Sequence, residues 1–396
     1  MIRLGLDSVG YLCEKLNNPQ DKLRFIHIAG TNGKGSTGAF IASILKEAGY
    51  RVGHFSSPAV FSREEIIKVN NRNISKKDYD EGMRLIDGLC LEIEKEGHPV
   101  PTEFERQTAL SFWYYVNRKC DIVVLECGMG GRTDATNIVN NTLVSVFTSI
   151  SLDHTDYLGK TVEEIAKVKA GIIKKGARII TAPCEKSIFN VLQEEADNYN
   201  ASVEIADVIK FKRGALSLKG SKQAENASVA VAAIKAMPEE VFTISDKQIE
   251  NGLHNTPLSG RFELINSKPD VIIDGGHNPG AAKTLKESIE LQFKDRKVIF
   301  VIGMLKNKDH KEYLKILLSV ASAVLTVSTE GDRGFCAEDL AREAMEVAED
   351  KSIISSIGGI EEGIEIAKMM ADKKGIIVVA GSFTILDRAK KYFKLK

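Results

Sequence analysis

The chain has 396 residues; at roughly 150 residues per domain that length covers two to three domains and leaves ample room for a buried core. Its 54 lysines and arginines balance 54 aspartates and glutamates, so no bulk field draws nucleic acid or an anionic membrane to it. Apolar residues at 43% and charged residues at 27% exclude the composition of a disordered chain.

In chain order, the N-terminal run MIRLGLDSVGYLCEK lacks the basic-then-apolar pattern of a secretory leader, and no later run reaches the roughly 18 apolar residues of a membrane span. A cytoplasmic protein is expected. Short Val- and Ile-rich runs then alternate with stretches of helical period, the pattern of parallel strands joined by crossover helices, so the fold class is α/β with mostly parallel sheets. Strands are predicted at residues 25–29, 122–126, 143–148, 178–181, 271–274, 298–302, 323–327 and 376–380. Helices are predicted at 37–48, 78–96, 103–117, 162–171, 222–235, 279–291, 338–347 and 361–371. A linker is expected within IENGLHNTPLSGRF, because Gly252, Asn255, Pro257 and Gly260 disfavour a continuing helix. Residues 1–255 then form a first domain, 256–260 the linker and 261–396 a smaller second domain, each long enough for its own doubly wound sheet. The six cysteines (Cys13, Cys90, Cys120, Cys127, Cys184, Cys336) contain no CxxC pair, so reduced thiols are expected rather than a zinc site or a disulfide framework.

The strand FIHIA is followed by GTNGKGST, residues 30–37, and then by a helix-compatible run. Glycines let the loop curl so that several backbone N–H groups point inward. The helix start adds partial positive charge and Lys34 a full one, which together make a cradle for a nucleoside triphosphate. The spacing departs from GxxxxGK[ST], since two residues separate Gly30 from Gly33 and Gly35 stands between Lys34 and Ser36. A second strand runs into VVLECGMGGRTDATN and puts Glu126 at its carboxyl end, the rim where ligands of open α/β sheets bind, with oxygen donors suited to Mg²⁺. A third, LVSVFT, leads into SISLDHTDYLG and brings Asp153, His154 and Asp156 to a neighbouring rim. Lys167 and Lys169 close the helix VEEIAKVKAG, where spacing alone reads as cations offsetting the carbonyl-end dipole. In the second half, IDGGHNPGA starts at a strand end and brings His277 ahead of a helix, and Asn278 before Pro279 reads as a helix cap with proline in the first turn. The guanine-reading pattern NKxD is approached only by Asn307, Lys308 and Asp309, one residue too tight, which disfavours a switch GTPase.

GTNGKGST, FSSP, LECGMGGRTDATN, SLDHTDYLG, KVKAGI, SGRFE, DGGHNP and AGSF, in this order across nearly the whole chain, resemble folylpolyglutamate synthase and bifunctional dihydrofolate synthase of the Mur ligase superfamily. The resemblance implies a P-loop, ATP-binding first domain and a Rossmann-like second domain. It also implies an ATP-dependent amide ligase. A carboxylate of folate or dihydropteroate attacks the γ-phosphate of ATP, giving ADP and an acyl phosphate, and the amine of L-glutamate then displaces phosphate. Carried over by motif, Gly30, Thr31, Asn32, Gly33, Lys34, Gly35, Ser36 and Thr37 hold the phosphates. Ser57 of FSSP and Glu126 bind one Mg²⁺, and Glu126 with His154 a second. Lys169 matches a lysine that the family carbamylates, which turns a cation into an anion near magnesium. Asn226, in QAENASVAVAAI, matches the asparagine that reads adenine, and Arg261 the arginine that reaches from the second domain toward the nucleotide phosphates. Asp274, His277 and Ser382 match positions associated with ribose and the incoming glutamate. The catalytic set implied is Lys34, Lys169, His154, Arg261 and His277, in a cleft whose closure keeps water from the acyl phosphate. A monomer acting on small molecules, with no nucleic-acid or membrane partner, is the matching expectation.

Three positions depart from that pattern. SPAVFSREEIIKVN offers Arg63, Glu64, Glu65 and Ile66 where the family commonly shows an ERI-like element, Ser259 stands where proline is usual, and Gly276 where alanine is frequent. The displaced arginine lies on the expected folate side. A sister ligase joining another carboxylate to an amino acid therefore stays open, as does a P-loop module without ligase chemistry, although the latter leaves Lys169 and His277 unexplained.

Overall fold

The computed structural model describes residues 5–372 and 374–394, and the chain divides into two compact units. The first takes in the chain up to Ser217 together with Ala224–Pro257, and the second takes in Leu218–Gln223 and the chain from Leu258 onward.

In the first unit the strands are β1 (Phe25–Ala29), β2 (Val52–Phe55), β3 (Ile67–Val69), β4 (Arg72–Asn73), β5 (Ile122–Glu126), β6 (Thr142–Phe147), β7 (Arg178–Thr181) and β8 (Val203–Ile205). They form one sheet in the order β4-β3-β2-β5-β1-β6-β7-β8, parallel from β2 to β8, with β3 and β4 turned back antiparallel at one edge. Parallel neighbours need long crossovers. These are supplied by α2 (Lys34–Glu47), α3 (Lys76–Lys95), α4 (Glu103–Asn117), α5 (Thr155–Leu158), α6 (Val162–Ala170) and α7 (Lys186–Asp197), while α1 (Asp7–Lys15) precedes β1 and α8 (Gln223–Lys235) and α9 (Asp246–His254) follow β8. Helices on both faces bury every residue of β1 and β5, which is why those strands read as unbroken apolar runs. One core cluster packs Leu12, Ile86 and Phe112 of α1, α3 and α4 against Phe25, Phe55 and Leu125. Another joins Ile165 and Leu192 of α6 and α7 to Phe147 and Ile179. Both α4 and α6 open on capping boxes, Thr102 with Glu105 and Thr161 with Glu164, which fix where those helices begin.

The second unit holds β9 (Glu263–Ser267), β10 (Asp270–Asp274), β11 (Val298–Ile302), β12 (Ala323–Val327), β13 (Ile354–Gly358) and β14 (Ile376–Ala380) in the order β13-β12-β11-β14-β10-β9. All pairs are parallel except β9 with β10. Its helices are α10 (Pro279–Gln292), α11 (His310–Leu318), α12 (Ala337–Val347), α13 (Ile360–Ala371) and α14 (Phe383–Lys394). The Asn278 side chain accepts from Ala281 N at 2.8 Å with Pro279 in the first turn, the cap that the Asn-Pro pair predicts.

Two differences from the sequence reading matter for the site. The first crossover helix begins at Lys34 rather than at residue 37, so Lys34, Gly35 and Ser36 already belong to its first turn. The expected break at Gly252 is absent, because α9 continues to His254. A Cβ on Gly252 would meet Ile44 Cα at 2.4 Å, so the glycine permits close packing of α9 on α2 and tertiary contact overrides its low helix propensity. The first unit is also discontinuous, since Leu218–Gln223 clusters with the second; a single cut near residue 255 misses this excursion. Among the described residues no helix is long and apolar enough to cross a membrane.

Candidate active site

Strand β1 lies between β5 and β6, so the loop leaving it is flanked by the carboxyl ends of both. Gly33 is the residue before α2, with φ +88°, and a Cβ there would sit 2.4 Å from Asn226 Oδ1 of α8. Backbone conformation and close approach both demand glycine at this point. The loop is stitched to the segment after β6. Thr31 N donates to Ser149 O at 2.7 Å, Thr31 Oγ1 donates to Ser151 O at 3.0 Å, and Ser149 Oγ donates to Asn32 O at 3.2 Å. Lys34 Nζ donates to Gly30 O at 3.2 Å and lies 4.0 Å from Glu126 Oε1. Glu126 is buried at the end of β5, with Oε2 3.6 Å from where a Gly35 Cβ would stand. A buried carboxylate, a lysine and the amino end of α2 therefore converge on one loop.

Lys169 joins them. Its Nζ donates to the same carbonyl, Gly30 O, at 2.8 Å, and the residue is only 4% exposed. Burial first and the charge of Lys34 second push its pKa down to about 7, against weaker opposing pulls from Cys127, Asp153 and Asp134. A substantial share of the amine is thus uncharged at neutral pH. Lys167, two residues away, is exposed.

His154 precedes α5 in the left-handed region at φ 50°, and its N–H donates to Asp153 Oδ1 at 2.9 Å. Ser57 follows β2, where Phe55 pairs with Leu125 of β5, so Ser57 and Glu126 leave the same edge of adjacent strands. The turn after Ser57 is shaped by Glu65, whose Oε2 accepts from Val60 N at 3.1 Å and Phe61 N at 3.2 Å. Among the described residues no three His, Cys, Asp or Glu side chains gather tightly enough to hold a metal ion by themselves. Ser57, Glu126 and His154 come from the same rim but from three different strand ends, a sparse donor set of the kind Mg²⁺ completes with phosphate and water oxygens.

In the second unit Asp274 ends β10 opposite Ala380 of β14, so the GGHN turn and Ser382 leave adjacent strand ends. Asp274 Oδ2 accepts from Phe262 N at 2.9 Å and Oδ1 from Gly276 N at 2.8 Å. Burial raises its pKa, while Arg261 and those two donors oppose the rise. The Arg261 guanidinium stacks over Phe383 with Cζ 4.5 Å from the ring centre, and His277 meets the same ring edge-on at 6.2 Å. His277 Nδ1 lies 3.0 Å from Gly275 O, and buried Ser382 Oγ is 2.9 Å from Thr384 Oγ1. Arg261, Asp274, His277 and Ser382 are thus gathered at one end of this sheet. Asp309 of the near-NKxD run caps α11, accepting from Glu312 N at 3.3 Å, which gives that run a structural use.

Residues 28–268 match the Mur ligase middle domain and residues 260–383 the Mur ligase glutamate ligase domain. The chain belongs to the Mur ligase family. The dihydrofolate synthase/folylpolyglutamate synthase of Bacillus subtilis is 35% identical to it, over 99% of this chain and 96% of the relative. The Mycobacterium tuberculosis folylpolyglutamate synthase complexed with ADP and AMPPCP superposes with a TM-score of 0.92 at 29% identity, covering 99% of this chain and 96% of that one. The bifunctional folylpolyglutamate synthase/dihydrofolate synthase of Yersinia pestis, complexed with AMPPNP and Mn ion, gives 0.85 at 29% identity, covering 99% and 94%.

The structure of this Mur ligase also reveals residues that sequence reasoning missed. Asp134 accepts from Met129 N at 2.8 Å, Thr136 N at 3.0 Å and Thr136 Oγ1 at 2.6 Å, folding GMGGRTDATN into a compact turn. Asn137 Nδ2 then donates to Gly171 O, and Arg132 N to Val168 O, so the turn is clamped to the end of α6 that carries Lys169. Much of that long motif therefore positions a lysine. Lys68 on β3 pairs across the strands with His54, which in turn pairs with Val124, two residues before Glu126 and on the same face of the sheet. Burial lowers the Lys68 pKa while Glu65 and Glu126 pull it up, which puts this cation in the field of the site. The alternation in EIIKVN was the available signal for β3. Phe383, the platform under Arg261, had none beyond its place in AGSF.

Proposed function

We propose that this Mur ligase joins L-glutamate to a folate-type carboxylate, that of dihydropteroate or the γ-carboxyl of a tetrahydrofolate, with ATP converted to ADP and phosphate. The carrying observation is the convergence of Lys34, Lys169 and Glu126 on the carbonyl and amino ends of the loop between β1 and α2. The nucleotides bound by the two solved relatives support the ATP assignment.

Residues 30–37 would cradle the phosphates through their backbone N–H groups, with Lys34 leaving Gly30 O for a phosphate oxygen. Asn226, beside Gly33, is assigned to the nucleotide base. Glu126 suits a hard divalent cation, being a buried oxygen donor at a strand end with Lys34 Nζ 4.0 Å away, and Ser57 and His154 would share in holding two such ions. When bound, the ions neutralise charge on the transferring phosphoryl group. A carboxylate oxygen of the acceptor bonds to the γ-phosphorus as the bond to ADP breaks. The glutamate nitrogen then bonds to the acyl carbon, phosphate leaves, and the nitrogen sheds its proton. Positioning and charge stabilisation supply most of the catalysis in such a transfer. Lys169 in its neutral form can add CO₂ to its nitrogen with loss of a proton, becoming an anion beside the metal ligands. We assign Arg261 and Asp274 to the nucleotide, His277 and Ser382 to the incoming glutamate, the first domain to ATP and folate and the second to glutamate. We further read the protein as a cytoplasmic monomer, in keeping with its six free cysteines.

The test is mass spectrometry of products after incubation with ATP, Mg²⁺ and glutamate, with dihydropteroate and a tetrahydrofolate offered separately. One added glutamyl residue and acceptor-dependent phosphate release are expected. Indifference to every pteroate and folate acceptor would reject the folate assignment and leave a sister ligase.

A further inference from the structure

A second feature of the first unit lies away from this chemistry. A concave groove of about 660 Å³ opens where β2 begins, between the β3–β4 turn and the far ends of α2 and α4. Lys46 stands twelve residues beyond Lys34 on α2, about 18 Å along a helix rising 1.5 Å per residue. The groove is therefore at the opposite end of the sheet from the phosphate loop. Its lining includes four cations, Lys46, Arg51, Arg72 and Arg118, and a single acid, Asp78.

The cations differ in how far they are committed. Arg118 pairs with Asp78 at 2.6 Å and stacks on the Tyr114 ring, and Arg51 Nη1 donates to Arg118 O at 3.1 Å, so two guanidinium groups are held in place at the groove wall. Lys46 and Arg72 are exposed, and their side chains make no ion pair or hydrogen bond among the described residues. In a chain of zero net charge, this concentration of like charge in one concavity, offset only in part by Asp78 and by Asp121 beside Arg51, is a local field that an anion would relieve. Fixed guanidinium forks beside exposed, unpaired cationic side chains suit a ligand bearing several anionic oxygens at flexible spacing better than one compact ion.

We propose that the groove is a second, non-catalytic binding site for a flexible polyanion, a row of carboxylate or phosphate groups. An edge strand such as β4 is also commonly blunted by charge, and that role alone would need no ligand.

The two are separated by calorimetric titration of the full chain, saturated with Mg²⁺ and a non-hydrolysable ATP analogue so that the phosphate loop is filled. The probes are inorganic tripolyphosphate and penta-γ-glutamate. Saturable one-to-one binding is expected for at least one probe, weakened tenfold or more in the double variant Lys46→Ala/Arg72→Ala, and the probe that binds identifies the anion. Acceptor-dependent phosphate release by the variant should match the parent and show that it is folded. Failure of both probes to saturate, or equal affinity in parent and variant, overturns the site whatever the acceptor of the ligase proves to be.

Discussion

Replacing Lys169 by Met removes a buried, partly charged amine while keeping an unbranched side chain of similar length. The folded pKa of about 7 lies below the ordinary 10.5, so between those values the unfolded chain binds more protons than the folded one. The burden of burying the ammonium is therefore full below pH 7 and is relieved as pH rises toward 10.5. At 1.36 kcal/mol per unit, the burden is about 4–5 kcal/mol at pH 6.5 and about 1 kcal/mol at pH 9.5. Loss of the bond to Gly30 O costs about 1 kcal/mol at either pH. Lys169→Met should thus stabilise the first unit by about 3 to 4 kcal/mol at pH 6.5 and leave it nearly unchanged at pH 9.5. The double difference of about 3 kcal/mol cancels every other titrating group that the mutation leaves alone. Urea titration in CO₂-free buffer, followed by fluorescence of Trp113, reports it, since this lone tryptophan lies on α4 of the first unit. A stability difference between variant and parent that is the same at both pH values would refute the reasoning.

Lys34→Ala should lower kcat by about a hundred- to a thousandfold in a phosphate-release assay, the loss typical of one donor aimed at transition-state charge. Phe383→Leu removes the ring under Arg261, worth about 0.5–1 kcal/mol, so kcat/KM for ATP should fall about two- to fivefold, with recovery in Phe383→Tyr. Gly252→Ala should destabilise the first unit by about 1–3 kcal/mol in the Trp113 urea titration, because its Cβ meets the Ile44 backbone; a gain in stability would show that α2 and α9 can separate at little cost. Incubation with ¹³C-bicarbonate at pH 8 should give a carbamate carbon resonance in the parent that is absent from Lys169→Met, and its survival in the variant would move the modification elsewhere.

How much of this was legible beforehand depends on what each residue is pressed against. Strands buried on both faces, such as β1, β5, β11 and β14, must be apolar at every position, and their bounds match the sequence reading. β4 (Arg-Asn), β8 (Val-Glu-Ile) and β13 (Ile-Ser-Ser-Ile-Gly) carry no such run, and they are strands because a neighbour offers its hydrogen-bonding edge. α7 buries Ile188, Leu192 and Ala196 at four-residue spacing, a signal that was present and unused, whereas α9 was hidden by a glycine whose purpose is tertiary. In the site, the strand-end rule drew attention to Glu126, which the structure places at the end of β5, whereas Asp274 was singled out only through the family resemblance. Asn226 was out of reach of local pattern, since its approach to Gly33 depends on packing between segments nearly two hundred residues apart.

Helical spacing also could not separate Lys169 from Lys167, and the physical difference between them is the state of the amine. A free lysine side chain in water holds only about one part in two or three thousand of its amine uncharged at pH 7, whereas buried Lys169 holds a substantial share. At equal intrinsic reactivity that raises the supply of nucleophilic nitrogen by about two to three orders of magnitude. The depression originates in burial and in the neighbouring charge of Lys34, which donates to the same Gly30 carbonyl. Two ammonium groups on one carbonyl oxygen oppose each other, and the opposition is removed if Lys34 turns to a phosphate or if Lys169 becomes an anion. Under the proposed assignments, the groups that would hold the nucleotide also prepare Lys169 for carbamylation, and the glycine loop and the end of α6 are linked through a single backbone oxygen.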